Sequence, residues 1–228
     1  MPGDEASSQT PRSPQTPLAR AEGFIWLTAR VLEQRRFAFH FLGGDADPVD
    51  TALGSYLNAD GGYGHALDPD LRGPLSQPLH TAHALRVLDS LGRCAGQRIE
   101  RLCRHLTGVS TLDGALPVVF PAPRDYPAAP YHPMHDDPPG ERLYPHDYAK
   151  RPESLARGWF TDAELRRSLD FLASEQQPDG GWPVRRRAWA PGSSLERRPI
   201  ATLEALLTLR AYGRLPATVS HPGPVPPR

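Results

Sequence analysis

The side chains best suited to chemistry lie in one short stretch: His65, Asp68, Asp70, Arg72, His80 and His83. His80 and His83 are three apart on a predicted helix, so they occupy adjoining faces. Asp68 and Asp70 precede that helix, near its positive end. A carboxyl group shielded there by apolar walls keeps its proton and can act as a general acid. Two histidines with a carboxylate also make a zinc ligand set. A plainer reading uses the same residues: Asp68 caps a turn, Asp70 pairs with Arg72, and the histidines pack or face solvent.

Four further groups carry potential chemistry. Asp136, Asp137 and Glu141 would hold magnesium only from one rigid element with more oxygen ligands; otherwise they form a solvated acidic loop. His132, His135 and His146 lie in the same loop and offer a labile metal site. Arg185, Arg186 and Arg187 are either a solvated basic face or a clamp for phosphate oxygens. Trp159, Trp182 and Trp189 are packing residues or, by cation–π attraction, a cage for a cationic ligand.

The elements that must position these groups are helices. The pattern predicts a first helix from about Ala19 to Leu42, with Phe24, Leu27 and Val31 on its buried face and Gly43-Gly44 ending it. A second runs from Pro48 to about Asn58. A third spans about Leu79–Leu91 and a fourth about Gln97–Thr107. Thr161-Asp-Ala-Glu164 is a capping box that opens a helix buried through Leu165, Leu169 and Leu172. Pro199 opens the last helix, buried through Leu203, Leu206 and Leu207, and Gly213 stops it. Between Pro121 and Pro152 prolines are too frequent for a long helix.

Composition excludes some classes. Lys plus Arg and Asp plus Glu are equal, 26 against 26, so no global field draws the chain to nucleic acid or an anionic membrane. No apolar run approaches the ~20 residues of a spanning helix. Cys94 and Cys103 have no metal-binding spacing and read as free thiols in a reducing cytoplasm. Lys150 is the only lysine, and 27 residues are proline, a bias that weakens any single arginine as a signal. Residues 1–18 and 217–228 read as disordered tails. Residues 19–216 form one domain, with a proline-rich irregular insert at about 117–158.

One phrase occurs twice. Residues 58–63 read NADGGY and residues 177–182 read QPDGGW, each followed by a helix in which Thr81, Ala84, Leu85 and Leu88 match Thr202, Ala205, Leu206 and Leu209. Thr111-Leu-Asp113-Gly114 is a weaker third copy. Gly-Gly supplies turn angles that other residues reach with strain, Asp bonds nearby amides, and Tyr63 or Trp182 buries area over the junction. Gln177 can reach an orphan amide at a neighbouring helix start.

QQPDGGW resembles the repeat of squalene–hopene cyclases and related terpenoid cyclases. NADGGYG, followed by His80, Thr81 and Ala84, resembles the repeat of protein prenyltransferase β subunits. WPVRRRAWAP and PIATLEALLTLRAYGRL are similar to small bacterial proteins with prenyltransferase and squalene-oxidase-type repeats. The resemblance covers residues 20–121 and 161–216 and implies an all-α fold, with antiparallel helical hairpins in a partial α/α toroid. A closed ring takes about six hairpins, and the ordered chain is long enough for roughly four. An open ring exposes apolar surface and invites self-association.

The resemblance implies an isoprenoid or other apolar small molecule in a central cavity. Asp68 or Asp70 would be the acid for cyclisation or transfer, and His65, Arg72, His80, His83, Trp182 and Trp189 would contact the ligand. Mg²⁺ or Zn²⁺ would be the cofactor, although no residue set is assigned to a metal. The departures point elsewhere. DxDD and DDxxD are missing: Asp68-Pro-Asp70-Leu71 lacks the terminal acid, and His135-Asp136-Asp137 starts a string one residue too long. The zinc signatures of prenyltransferases and lanthionine cyclases are absent too. The alternative is a non-catalytic helical-repeat binding or scaffold protein, or a degenerate pseudoenzyme.

Overall fold

The computed structural model describes residues 16–115, 142–185 and 191–216. Among them the protein is all-α: α1 (Pro17–Thr28), α2 (Val31–Phe41), α3 (Ala46–Gly54), α4 (Pro78–Ser90), α5 (Gln97–Val109), α6 (Pro145–Tyr148), α7 (Asp162–Ser174) and α8 (Pro191–Ala211), with a 3₁₀ turn at Leu155–Trp159 between α6 and α7. Asp136, Asp137, Glu141, His132, His135, Arg186, Arg187 and Trp189 lie outside the described residues, as do 1–15 and 217–228 of the two tails.

The helix expected from Ala19 to Leu42 is two helices, and the first begins earlier, at Pro17. The chain is extended at Ala29 and Arg30. No proline or glycine marks this break; side chains hold it. Thr28 Oγ1 donates to the Phe24 carbonyl at 2.7 Å, a back-bond that loosens a helix end. Gln34 Nε2 donates to the carbonyls of Trp26 and Ala29, at 3.2 and 3.1 Å, supplying the donors that the terminated ladder lacks. The break rotates the faces. Phe24, Ile25 and Leu32 are buried, whereas Leu27 and Val31, expected inside, are 87% and 60% exposed. Pro199 likewise lies inside α8 rather than at its start.

The capping box of α7 forms as read: Glu164 N donates to Thr161 Oγ1, and Thr161 N donates to Glu164 Oε2. Leu165, Leu169 and Leu172 are buried on its inner face. The buried side chains fall into two clusters. One joins α1, α2, α7 and α8 around Trp182, through Phe24, Phe37, Phe41 and Leu206 among others. The second joins α2 to α5 around Tyr63, through Leu32, Val49, Leu53, Val87 and Leu102. Helix α2 contributes to both. The start and end of the described chain meet, because α1 packs on α8.

Each cluster is built on one copy of the repeated turn, and the copies agree atom by atom. Asn58 N donates to Gly62 O (2.9 Å) as Gln177 N does to Gly181 O (2.8 Å). The second glycine donates to the turn aspartate, Gly62 to Asp60 Oδ1 at 2.9 Å and Gly181 to Asp179 Oδ1 at 3.0 Å. The amides of Tyr63 and Trp182 donate to Thr81 Oγ1 and Thr202 Oγ1, hydroxyls that donate in turn to Gln77 O and Arg198 O. Gly61 and Gly180 have φ +90° and +93°, where a Cβ is strained. Both also press on a helix backbone: a Cβ on Gly61 would stand 2.8 Å from Arg101 O, and one on Gly180 would overlap Arg20 O. The glutamine that reaches a neighbouring helix start is Gln176, not Gln177; its Nε2 donates to Pro17 O at 2.8 Å.

The third copy has the same internal bonds, Thr111 N to Ala115 O and Gly114 N to Thr111 O, with Gly114 at φ +81°. A Cβ on Gly114 would meet nothing within 4 Å. Gly180→Ala should therefore lower stability by about 3 kcal/mol or more, through overlap and strain together, whereas Gly114→Ala should cost about 1 kcal/mol, from the left-handed angle alone. Urea denaturation of both variants checks this; equal losses would show that the seat on α1 is not tight.

Candidate functional site

The loop from His65 to Gln77 links the first turn to α4. His65 and Ala66 are both left-handed, with φ 55° and 58°, though neither is glycine. Such angles persist only where surrounding contacts fix them. Three side chains, from the α1–α2 break, α4 and α8, provide those contacts.

Arg30, at the break before α2, donates from Nη1 to the Ala66 carbonyl (2.9 Å) and from Nη2 to the Leu67 carbonyl (3.1 Å), while Nε and the same Nη2 engage both oxygens of buried Glu33. Arg197 of α8 bridges both candidate acids: Nη2 meets Asp68 Oδ1 at 2.5 Å and Nε meets Asp70 Oδ2 at 2.7 Å. Asp68 Oδ1 also accepts from Asp70 N at 3.1 Å, the turn cap that the sequence suggests. His80 of α4 accepts the Asp68 amide proton on Nδ1 at 2.9 Å, which places its own proton on Nε2. Burial drives the His80 imidazole down to about 4, against a backbone hydrogen bond to Leu71 that raises it.

The remaining sequence candidates disperse. Arg72 pairs with Glu196 at 2.6 Å, not with Asp70. His65 is exposed and its Nε2 bonds Asn58 Oδ1 at 2.8 Å. Trp182 is core: its indole donates to Leu172 O at 2.7 Å. Among the described residues His83 makes no hydrogen bond to the loop; it lies among Arg36 of α2, Arg86 of α4 and Arg197 of α8, at the space between these helices. Its imidazole lies well below its usual range because of burial first, then the charges of Arg36, Arg30, Arg86 and Arg197.

Glu204 of α8 borders the same space. Burial would raise its carboxyl, yet the charges of Lys150, Arg36 and Arg86 hold it below the usual range. Its side chain is nevertheless 46% exposed. Of these three helices only α2 and α8 pack closely on one another, which leaves a recess beside α4 that Glu204 borders. The recess is ionic, with Glu33 and Arg36 buried at its α2 side. Sequence reasoning missed Arg30, Glu33, Arg36, Glu196 and Arg197, and the arginine-rich composition hid them.

A second polar cluster surrounds His146 of α6. Its Nδ1 lies 2.6 Å from Ser168 Oγ, and Arg185 Nη1 donates to its Nε2 at 3.0 Å. The guanidinium is donor only, so the imidazole proton sits on Nδ1 and points at the serine. That tautomer cannot take a proton from Ser168, so this pair is not a nucleophile and its base. Arg185 also stacks over Tyr144 and Phe171 and meets Glu175 at 3.5 Å. Among the described residues no three His, Cys, Asp or Glu side chains converge on a metal position. Cys94 and Cys103 are free and exposed, and no described helix is long and apolar enough to cross a membrane.

His80 makes the loop pH-sensitive. Between pH 6.5 and about 4 the unfolded chain binds a proton on this residue that the folded chain refuses. Stability therefore falls as pH drops through that window, by on the order of 3 kcal/mol from this group. His80→Gln should flatten the fall between pH 6.5 and 4 in urea midpoints, with the remainder due to His83, His40 and His146, which are also depressed. An unchanged slope would mean that His80 takes up its proton in the folded loop. No family model, curated protein or solved structure matches this chain, so the reading of the site rests on its geometry.

Proposed function

We propose that this chain is a non-catalytic helical-repeat binding protein of the α/α-toroid kind, related to terpenoid cyclases and prenyltransferases by its turns and not by their chemistry. The repeated DGG turn, with its threonine partner on the following helix, supports the kinship. One observation carries the functional part: Arg197 engages both Asp68 and Asp70. A general acid must offer its carboxyl to a substrate. Here one oxygen of each candidate acid, Asp68 Oδ1 and Asp70 Oδ2, is spent on the Arg197 guanidinium, and the three residues cross-link α8 to the loop. The charged lining of the recess also suits a polar ligand better than a hydrocarbon.

Asp70 Oδ1 favours a second reading. It is buried and has no hydrogen-bond partner, so one carboxylate oxygen remains for acid–base work on a bound ligand.

Asp70→Asn, Arg197→Gln and the double variant separate the two. Each single change should cost on the order of 2–3 kcal/mol, below the fully buried range because Arg197 is 23% exposed, and the double should cost clearly less than the sum. Incubation of the wild type with farnesyl diphosphate, geranylgeranyl diphosphate or squalene, with and without Mg²⁺ or Zn²⁺, should give no product. Turnover that Asp70→Asn abolishes while the fold survives would establish the acid and overturn the binding-protein reading.

A further inference from the structure

The recess between α2, α4 and α8 holds more positive charge than its own partners balance. Arg30 is committed to Glu33 and two carbonyls, Arg197 to Asp68 and Asp70, and Lys150 to Glu204 at 2.9 Å. Arg36 and Arg86 remain. Neither makes a hydrogen bond or ion pair among the described residues, and Arg36 is only 6% exposed, with its buried Nε facing no acceptor. A guanidinium cannot shed its proton to escape this. Glu33 lies one turn before Arg36, but both its oxygens are engaged by Arg30. Glu204 is drawn to the rim by Lys150. An unpaired buried guanidinium is costly to the fold and is expected where a ligand supplies the missing oxygens.

We propose that this recess is an oxyanion-binding site, with Arg36 at its floor and Arg86 at its rim gripping the carboxylate or phosphate group of a small ligand. The planar guanidinium of Arg36 offers a fork matched to two oxygens of such a group. His83, held neutral among the arginines, adds a hydrogen-bonding nitrogen without a further charge. Exposure at Arg86 and Glu204 gives the ligand its entrance. The proposal rests on the binding-protein reading and names the ligand's recognised group.

The test uses the full chain with inorganic phosphate as probe and acetate in a parallel arm, each against chloride at equal ionic strength, by calorimetric titration and thermal midpoint. Phosphate or acetate should bind at about 1 mM or tighter and raise the midpoint, and the stronger arm identifies the group. Arg36→Gln should weaken binding by at least about tenfold and Arg86→Gln by about threefold, whereas Arg166→Gln, an exposed arginine of α7, should change nothing. Arg36→Met should raise the midpoint in the absence of phosphate, because it removes an uncompensated charge; an arginine serving only the fold would lower it. If that variant fails to fold, the wild-type titration and Arg86→Gln still decide. Anion responses identical to chloride, or full binding by Arg36→Gln, would overturn the site. Product from a prenyl substrate with phosphate binding intact would instead overturn the binding-protein reading and leave the site standing.

Discussion

A peptide turn can rest against the backbone of a helix only where it carries no side chain, and this close approach organises the molecule. Gly61 and Gly62 sit on Arg101 and His105 of α5; Gly180 and Gly181 sit on Arg20 and Phe24 of α1. In each pair the two helix residues are four apart, one turn along the same face. Once the turn is seated, the aromatic that follows can only point inward. Its amide is then taken by a threonine of the next helix, which fixes where that helix starts its buried face. Tyr63 and Trp182 thus become the centres of the two apolar clusters.

The opposite faces of the helices meet through charge. Arg30, His80 and Arg197 reach the His65–Gln77 loop from the α1–α2 break, α4 and α8, and each bonds a different part of it. A loop with two left-handed non-glycine residues would have many alternatives if left to itself. Three polar contacts from separate elements select one, and they do so by direction, which apolar packing cannot supply. The same residues make the interior beside the loop ionic, so burial there costs stability that the two apolar clusters must offset.

Local features were legible in the sequence. The turns, their aspartates and the capping box at Thr161 depend on neighbours a few residues away, and the threonine–alanine–leucine match between α4 and α8 shows as a repeat about twenty residues after each turn. The break at Ala29–Arg30 was not legible, because Thr28 and Gln34 make it without proline or glycine; the apolar period across it therefore counted Leu27 and Val31 on the wrong side. Pro199 signalled a start and lies within a longer helix. The site was half legible. Asp68, Asp70, His80 and His83 do lie around one loop and the recess beside it, yet their roles are set by Arg197, more than a hundred residues away in sequence. No spacing rule reports such a partner, least of all in a chain where nearly every base is arginine.

The third turn shows which part of the phrase does which task. Thr111–Ala115 closes with the same hydrogen bonds as its siblings, including Ala115 N to Asp113 Oδ1, and keeps its first glycine in the left-handed region. It lacks the second glycine, and among the described residues nothing lies within 4 Å of a Cβ on Gly114. The first glycine and the aspartate therefore suffice to make the turn, a local matter of backbone angle and one carboxylate acceptor. The second glycine has no positive φ in either complete copy; its place is needed because a Cβ there would strike His105 in one copy and Phe24 in the other. In this chain, Asp-Gly encodes the bend, and Gly-Gly encodes the bend together with its docking on a helix distant in sequence.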